Sequence, residues 1–234
     1  MSRLNLKKKH IIFMLVFLNL CFSTSMAFAF WASDISSNST SGNGSLGIGE
    51  WGIPIFTVDD FYDFATKSTS ASTDLYYLAN DLDFTSYSWT YMPSVIFRGE
   101  LNGRGKTISN LNIYVDGGNY HGIFPRMIGG RIYDLTFDNI HIESSLSGTA
   151  QRSGMIVGQI TGGTNLISNL TLNNIRVEGA STNGVGGLVG LISGSTTVLT
   201  IENIKATELK VFNRYSYTGG LVGRQNNSGS VVNM

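Results

Sequence analysis

The spacing of hydrophobic residues changes once along this 234-residue chain. Between residues 57 and 67 the apolar residues fall three or four apart, as on one face of a helix: Val58, Phe61, Phe64 and Ala65. Thr57 and Asp60 have the spacing of a capping box at the start of that helix. From Asp74 onward, β-branched and aromatic residues alternate with polar ones. The pattern predicts one helix followed by an all-β chain.

The β-rich part is repetitive. The phrase GGLVG occurs at residues 186–190 and 219–223, and SGMIVG at 153–158 is a weaker copy. Related phrases open at Gly122, Gly154, Gly187 and Gly220, at intervals of 32 or 33 residues. A fixed period of this size indicates a solenoid. Because the repeats are rich in Gly, Asn, Thr, Ile and Val, paired helices are disfavoured.

We therefore predict an all-β fold, a parallel, right-handed β-helix or solenoid with repeats of about 33 residues. Leu188 and Leu221 are expected at equivalent inward positions, with the flanking glycines turning corners at positive φ. A second set of residues recurs near a strand entry: Asp134, Asn169 and Asn203, with Asn110 and Asn233 as outer members. These side chains either stack as a ladder between coils or each cap their own turn, and the sequence leaves both readings open.

The chain divides into four segments. Residues 1–29 have a basic start, an apolar run and an Ala27-Phe28-Ala29 cleavage pattern, so we predict a signal peptide. The alternatives are a membrane anchor, for which the apolar run is too short, and a lipoprotein signal at Cys21, where Leu20 is too bulky. Residues 30–54 are predicted as a flexible leader, 55–121 as the capping helix and entry coils, and 122–234 as the solenoid repeats. The last repeat is incomplete, so we expect the chain to continue into further C-terminal repeats or domains.

The charge balance excludes nucleic-acid binding, and the cysteine content excludes disulfides. Removing residues 1–29 lowers the count of Lys and Arg from 16 to 12, against 16 Asp and Glu, so no basic stripe remains for nucleic acid. Cys21 is the chain's one cysteine and leaves with the signal peptide, so no disulfide is expected.

The repeats resemble those of bacterial exported proteins with Gly-Leu-any-Gly (GLUG) motifs. GGLVG at 186–190 and 219–223 matches that motif, and FRGELNGRGKTISNLNIY at 97–114 resembles the family's entry region. The resemblance runs from about Ile55 to the C-terminus. It implies a secreted or surface-displayed β-helix of the kind found in adhesins and in the non-catalytic N-terminal region of immunoglobulin-A-cleaving metallopeptidases. Pro125 and Arg126 replace the family's usual small residues, so the first repeat is expected to be less regular.

Motifs for catalysis are weak. GELNGRGKT at 99–107 misses the phosphate-loop spacing by one residue and continues into an apparent strand rather than a helix. His121 and His141 are expected as loop or surface residues, because neither an H-E-x-x-H motif nor a second cysteine accompanies them. No G-x-S-x-G nucleophile motif occurs.

Acidic and aromatic groups give two further candidates. Asp81 and Asp83 share a strand face and could bind a cation or act as an acid/base pair, but the sequence favours a solvated strand edge near a turn. Asp59, Asp60 and Asp63 could form a second group of this kind, but Asp59 and Asp60 suit the positive end of the predicted helix. Several aromatic residues could stack on sugar rings or pack beneath a loop: Tyr87, Trp89, Tyr91, Tyr215 and Tyr217.

The sequence thus assigns no catalytic, cofactor-binding or metal-binding residue. It favours a non-enzymatic, secreted or cell-surface β-solenoid, adhesin-like or a structural spacer, that presents loops to a host or cell-surface protein or carbohydrate. No nucleic acid is expected as a partner, and no membrane contact beyond the signal peptide. Two alternatives remain: the N-terminal region of a larger surface peptidase, and a carbohydrate-active β-helix enzyme that uses Asp81 and Asp83 or loop carboxylates.

Overall fold

Parallel strands from successive coils stack on one another throughout the structure. The computed structural model describes residues 52–67, 73–90, 95–144, 151–226 and 231–234. The chain divides into two units, residues 1–50 and 51–234, and the described residues all belong to the second. The predicted signal peptide and most of the predicted leader lie outside the described residues, but strand β1 begins at Ile53, inside the segment predicted as leader.

The described residues contain one helix, α1 (Val58–Lys67), and eighteen strands. The strands are β1 (Ile53–Ile55), β2 (Leu75–Leu78), β3 (Leu82–Asp83), β4 (Ile96–Phe97), β5 (Glu100–Ser109), β6 (Asn112–Val115), β7 (Tyr120–His121), β8 (Phe124–Met127), β9 (Arg131–Ser144), β10 (Arg152–Gly154), β11 (Val157–Thr161), β12 (Thr164–Gly179), β13 (Val185–Gly186), β14 (Val189–Ser193), β15 (Val198–Asn213), β16 (Thr218–Gly219), β17 (Val222–Asn226) and β18 (Val231–Asn233).

The strands form three sheets in which every described pairing is parallel. The first sheet has the order β1-β2-β5-β9-β12-β15-β18, with β3 on β5 and β6 on β9. The second is β4-β8-β11-β14-β17 and the third is β7-β10-β13-β16. From β4 onward the chain passes through the three sheets in turn, so the predicted parallel β-solenoid is confirmed.

Leu188 and Leu221 do lie on neighbouring coils at equivalent positions. The backbone N–H of Leu188 donates to the carbonyl of Leu221 at 2.9 Å, and the Leu188 side chain is fully buried. The register corrects one detail of the sequence alignment, because Gly154 pairs with Gly186 and not with Gly187. Pro125 and Arg126 do not disturb the first repeat within β8, where Phe124 and Met127 keep their register on β11.

The long strands of the first sheet bend twice. In β12 the bends fall at Asn169 and Asn174, whose φ angles are 52° and 50°. Buried side chains are two residues apart within each straight segment but three apart across each bend: Ile167, Leu170, Leu172, Ile175 and Val177. Left-handed backbone costs an ordinary L-residue roughly 1–2 kcal/mol, and Asn and Asp tolerate it best. The recurrent Asn positions are therefore what lets one long strand keep its apolar side chains in the core.

The polar side chains at the first bend form a ladder. Asn169 donates from Nδ2 to Oδ1 of Asp134 at 2.8 Å, and Asn203 donates to Oδ1 of Asn169 at 2.9 Å. The partners are 35 and 34 residues apart in sequence, one coil in each case. The ladder interpretation is thus confirmed for these three residues.

Asn110 and Asn233 were wrongly assigned to that ladder. Asn110 belongs to a second ladder at the other bend, where it donates to Asp83 at 2.8 Å and accepts from Asn139 at 2.7 Å. Asn174 continues this second ladder by donating to Asn139 at 3.0 Å. Asn233 pairs with Thr200, three residues before the ladder position, because the coils differ in length and the sequence phrases drift out of register.

The glycines of GGLVG, apart from Gly220, are required by close packing. The prediction that they turn corners at positive φ is wrong. The left-handed glycines of the described residues lie elsewhere, at positions such as Gly163 and Gly194. A Cβ on Gly186 would lie 2.2 Å from the carbonyl oxygen of Val189, and one on Gly190 would lie 2.6 Å from that of Gly158. The chain therefore folds back from the third sheet to the second so tightly that a side chain has no room.

Helix α1 packs on the first coils through an aromatic cluster. Thr57 and Asp60 form the predicted capping box, with reciprocal bonds of 3.0 and 3.1 Å. The Phe64 ring lies 5.7 Å from Phe97 and 5.6 Å from Phe124, both on the second sheet. The helix thus covers apolar side chains where the solenoid begins.

Within the described ranges, no helix has the length and apolar character needed to cross a bilayer.

Residues 99–107 form a strand with a bulge, as their β-rich continuation predicted. Strand β5 shifts register on β9 between Asn102 and Lys106. The bend lies at Arg104 and Gly105, with φ of 51° and 73°. Since no helix follows the bulge, it lacks the dipole that a phosphate loop requires.

Candidate functional site

Asp81 and Asp83 both hold the backbone of the early coils. Oδ1 of Asp83 accepts hydrogen bonds from Asn110 at 2.8 Å and from the Thr85 backbone N–H and hydroxyl at 3.0 and 2.6 Å. The bond from Asn110, followed by those from Thr85, keeps the pKa of Asp83 below its usual value. Asp81 accepts from the backbone N–H of Thr107 at 2.8 Å. Across the described ranges, no three His, Cys, Asp or Glu residues are grouped closely enough to hold a metal ion.

The acidic residues of α1 are also tied to local structure. Asp60 caps the helix by accepting from the Thr57 backbone N–H. Hydrogen bonding with the Thr57 side chain, followed by the bond from the Phe56 backbone, lowers the pKa of the Asp60 carboxyl. Asp59 is hydrogen-bonded to Tyr87, whose pKa is raised to about 12, first by burial and then by that bond. These contacts fit the structural interpretation of Asp59 and Asp60.

Only part of the aromatic set predicted for sugar stacking is exposed. Trp89 is 9% exposed and packs on Phe61 with ring centroids 6.2 Å apart. Tyr87 packs on Tyr62 at 5.6 Å, so these two residues belong to the aromatic cluster beside α1. Tyr215 and Tyr217 are 56% and 51% exposed. Tyr91 lies outside the described residues.

His121 is buried, which corrects its assignment as a loop or surface residue. Its Nε2 lies 3.2 Å from the carbonyl of Gly118, which can only accept, and its Nδ1 lies 3.2 Å from the hydroxyl of Ser153. A neutral ring satisfies both contacts by donating from Nε2 and accepting at Nδ1. Burial lowers the pKa of His121 to about 4. His121 is therefore a neutral core residue of the third sheet.

A different set of residues comes together on the outer face of the first sheet. Tyr114, Glu143, Glu178 and Phe212 are directly in register on β6, β9, β12 and β15, and we call them the outer row. A flanking row two residues earlier on each strand contains Asn112, His141, Arg176 and Lys210. Neighbouring residues such as Ile142 and Val177 point into the core, so both rows face outward.

Glu178 is held in place by two residues of the flanking row. Its Oε1 accepts from Nε of Arg176 and lies 3.1 Å from Nε2 of His141. The hydrogen bond from Arg176, and after it that from His141, lowers the pKa of Glu178, and the same bond raises the pKa of Arg176. The Arg176 guanidinium lies 4.8 Å from the Phe212 ring centre. The carboxylate, the cation and the aromatic ring thus form one connected unit.

A cleft of about 220 Å³ opens beside the outer row. Its lining residues come from the ends of the three long strands: Glu143, Ser144, Glu178, Gly179, Phe212, Asn213 and Arg214. Asn213 shapes its wall by accepting from the Ser181 N–H at 2.9 Å and donating to the Ser181 carbonyl at 2.9 Å. This volume is below the roughly 300–1,000 Å³ of most small-molecule pockets. A cleft of this size can hold one residue of an extended, polymeric ligand.

The electrostatics of Glu178 do not suit the acid of a glycosidase pair. Glu143 and Glu178 lie on adjacent paired strands, about 4.8 Å apart along the sheet. A glycosidase pair of this kind needs one carboxyl group with a raised pKa to act as the acid. In Glu178 the pKa is lowered, because Arg176 and His141 stabilise its charged form. The carboxylate is a hydrogen-bond acceptor and not a proton donor at neutral pH.

Sequence reasoning missed the outer row because its members are far apart in sequence and occur in different phrases. The signal that could have found it is the strand register. Once Asn139 and Asn174 are recognised as equivalent bends, Glu143 and Glu178 follow each of them by four residues.

One solved structure is similar to this chain. It is the crystal structure of a protein described as a "putative immunoglobulin A1 protease" from Bacteroides ovatus, with a TM-score of 0.56 and 18% sequence identity. The similarity covers 77% of this chain and 55% of that one, so this chain spans about half the length of its structural neighbour. At this identity the likeness shows the fold. No protein-family model and no curated protein sequence matches the chain.

Proposed function

We propose that this protein is an exported, non-enzymatic β-solenoid that serves at the cell surface as an adhesin-like module presenting its outer face to a ligand. The observation that carries the proposal is the outer row with its cleft, built on paired strands of a rigid sheet. Sites on regular elements hold their side chains more precisely than sites on loops. Asp81 and Asp83, the sequence's candidates for catalysis, are engaged in structural hydrogen bonds.

Export is the first step to test. The full chain is expressed in a bacterial host, and the mature product is analysed by N-terminal sequencing and by protease treatment of intact cells. We expect cleavage after Ala29, a mature protein that begins at Phe30, and digestion from outside the cell. In the matched variant Ala29→Arg the signal should remain attached. A wild-type protein that keeps residues 1–29 and resists external protease would contradict the proposal.

A second candidate is the N-terminal region of a larger surface peptidase. The observation that favours it is the fold likeness to the Bacteroides ovatus protein, of which this chain covers 55%. In that arrangement the solenoid positions a catalytic domain encoded downstream, and the outer row contacts the substrate or the cell surface. Reading the coding sequence beyond Met234 tests this directly. A downstream H-E-x-x-H motif on a predicted helix would support it, and a stop codon at that point would oppose it.

A further inference from the structure

We infer that the outer row binds an uncharged glycan chain that runs along the solenoid axis, across β6, β9, β12 and β15. This assignment rests on the proposed function, because it names the ligand class of the surface that the exported module presents. It is carried by three properties of the outer row and its cleft: charge balance, the placement of aromatic rings, and the hydrogen-bonding groups between them.

The charges around the cleft balance to within one. Glu143 and Glu178 supply two negative charges, Arg176 and Arg214 supply two positive ones, and Lys210 of the flanking row adds a third. Arg176 and Glu178 are bonded to each other, so neither is a strong site for a ligand of opposite charge. A polyanion or a polycation would meet charges of both signs along the row. An uncharged polymer meets no such penalty.

Aromatic rings stand at both ends of the outer row. Tyr114 is 56% exposed and Phe212 is 48% exposed. The two residues are three strand spacings apart, about 14 Å along the sheet. Arg176 covers part of the Phe212 ring and still leaves it half exposed. Flat rings at this separation can each take the apolar face of a sugar unit, with further units lying between them.

Between the rings the row offers acceptors for hydroxyl groups. Both hydrogen bonds to Glu178 from Arg176 and His141 go to Oε1, so Oε2 remains as an acceptor for a ligand. Glu143 lies one strand away in the same cleft. Hydrogen bonds to charged acceptors are shorter and stronger than neutral ones, and a sugar hydroxyl supplies the donor without a charge of its own. The carboxylates therefore fix orientation while the rings supply apolar contact.

An extended peptide fits this surface less well. Peptides that bind sheets gain affinity by pairing with a free strand edge. The outer row instead crosses its strands, and β9 and β12 are paired on both sides, so their backbone groups are already bonded. A ligand on this surface can therefore contact side chains but cannot pair with a strand, and this suits a polysaccharide better than a peptide.

The test is affinity electrophoresis of the purified mature chain through gels that contain a soluble polysaccharide. The neutral probes are laminarin, mixed-linkage β-glucan, galactomannan, arabinoxylan and dextran, and the charged probes are polygalacturonate and heparin. We expect retardation by at least one neutral probe and none by the charged ones. Titration calorimetry with oligosaccharides of the retarding polymer then gives the dissociation constant.

Variants locate the binding. Tyr114→Ala and Phe212→Ala should each weaken binding about 2- to 10-fold, and the double variant correspondingly more. Phe212→Tyr should keep wild-type affinity, because it retains the ring. Tyr215→Ala is the matched control, since Tyr215 is equally exposed but lies outside the outer row. Both row aromatics are surface residues, so circular dichroism should show an unchanged fold.

Three outcomes would overturn the inference: retardation by the charged probes alone, no retardation by any neutral probe, or an affinity that the double variant leaves unchanged. None of these removes the proposed function, which depends on export and surface exposure. Conversely, a chain that stays inside the cell with residues 1–29 attached would remove the proposed function and leave the measured affinity intact.

Discussion

Gly187 and Gly220 occupy the same position in the two copies of GGLVG but differ in what lies beside them. A Cβ on Gly187 would lie 2.1 Å from the carbonyl oxygen of Gly220 and about 3 Å from the Leu209 side chain. A Cβ on Gly220 would have no described atom within 4 Å. The same substitution at these two sites therefore measures the close approach of coils and little else.

The expected cost of Gly187→Ala follows from these contacts. Ordinary contact distances begin near 3.4 Å, so the coils must separate locally by more than 1 Å. Overpacking of this kind costs roughly 1–3 kcal/mol, and the upper end applies because the obstructing atom is backbone. The separation also weakens the 3.0 Å bond from Gly187 N–H to that same carbonyl, worth about 1 kcal/mol. We expect a loss of about 3–4 kcal/mol in the free energy of unfolding.

Urea unfolding of the mature chain, followed by circular dichroism, provides the assay. Gly220→Ala should change the free energy of unfolding by less than about 0.5 kcal/mol, or raise it slightly through the lower entropy of the unfolded chain. Hydrogen exchange at the Leu188 amide gives a local readout if unfolding is not two-state, as is common in repeat proteins. Equal effects of the two substitutions would refute the reasoning.

Three further predictions concern stability. Asn169→Ala should lower the free energy of unfolding by about 2 kcal/mol, as measured by thermal unfolding, and Asn169→Gly by about half of that. Glycine tolerates the φ of 52° and loses only the ladder bonds, whereas alanine loses both. Equal losses for the two variants would contradict this reasoning. The pKa of His121 is about 4 in the folded protein and 6.5 in the unfolded chain. Its contribution to the free energy of unfolding is therefore complete above pH 6.5 and is lost as the pH falls towards 4, and the loss is at most about 3 kcal/mol. In His121→Gln the urea midpoint of unfolding should depend less on pH between 4 and 6.5 than in the wild type. The same pH dependence in both proteins would contradict this prediction. Thr57→Ala should cost about 1 kcal/mol through the lost cap and Thr57→Ser much less, as judged by melting temperature.

The fold was predictable because the equivalent positions of successive solenoid coils recur in the sequence at a nearly constant interval. The repeat near 33 residues, the β-rich composition and the capping box of Thr57 and Asp60 each depend on local or periodic constraints. Which glycine serves which purpose was not predictable. Glycine is required both where the backbone is left-handed and where another backbone segment approaches closely. At Gly186 only the short distance to the next coil, seen in the structure, shows that the second reason applies.

The candidate site was harder to predict, because it depends on small differences in coil length. Bonded ladder partners are 35 residues apart for Asp134 and Asn169 but 29 apart for Asn110 and Asn139. A uniform period therefore misplaces outward residues by several positions, enough to move a side chain to another face. The same drift explains why Asn233 was placed in a ladder to which it does not belong.

The stacking of coils in parallel register is tested most directly by disulfide crosslinking in a Cys21→Ser background. Thr171 and Lys205 are register partners on β12 and β15, about 4.8 Å apart, which is within reach of a disulfide. Thr207 lies two residues further along β15, on the same face and beyond that reach. Parallel coils in this register predict rapid oxidation of Thr171→Cys with Lys205→Cys and little with Thr207→Cys. Equal oxidation of the two pairs, or faster oxidation of the second, would contradict the solenoid.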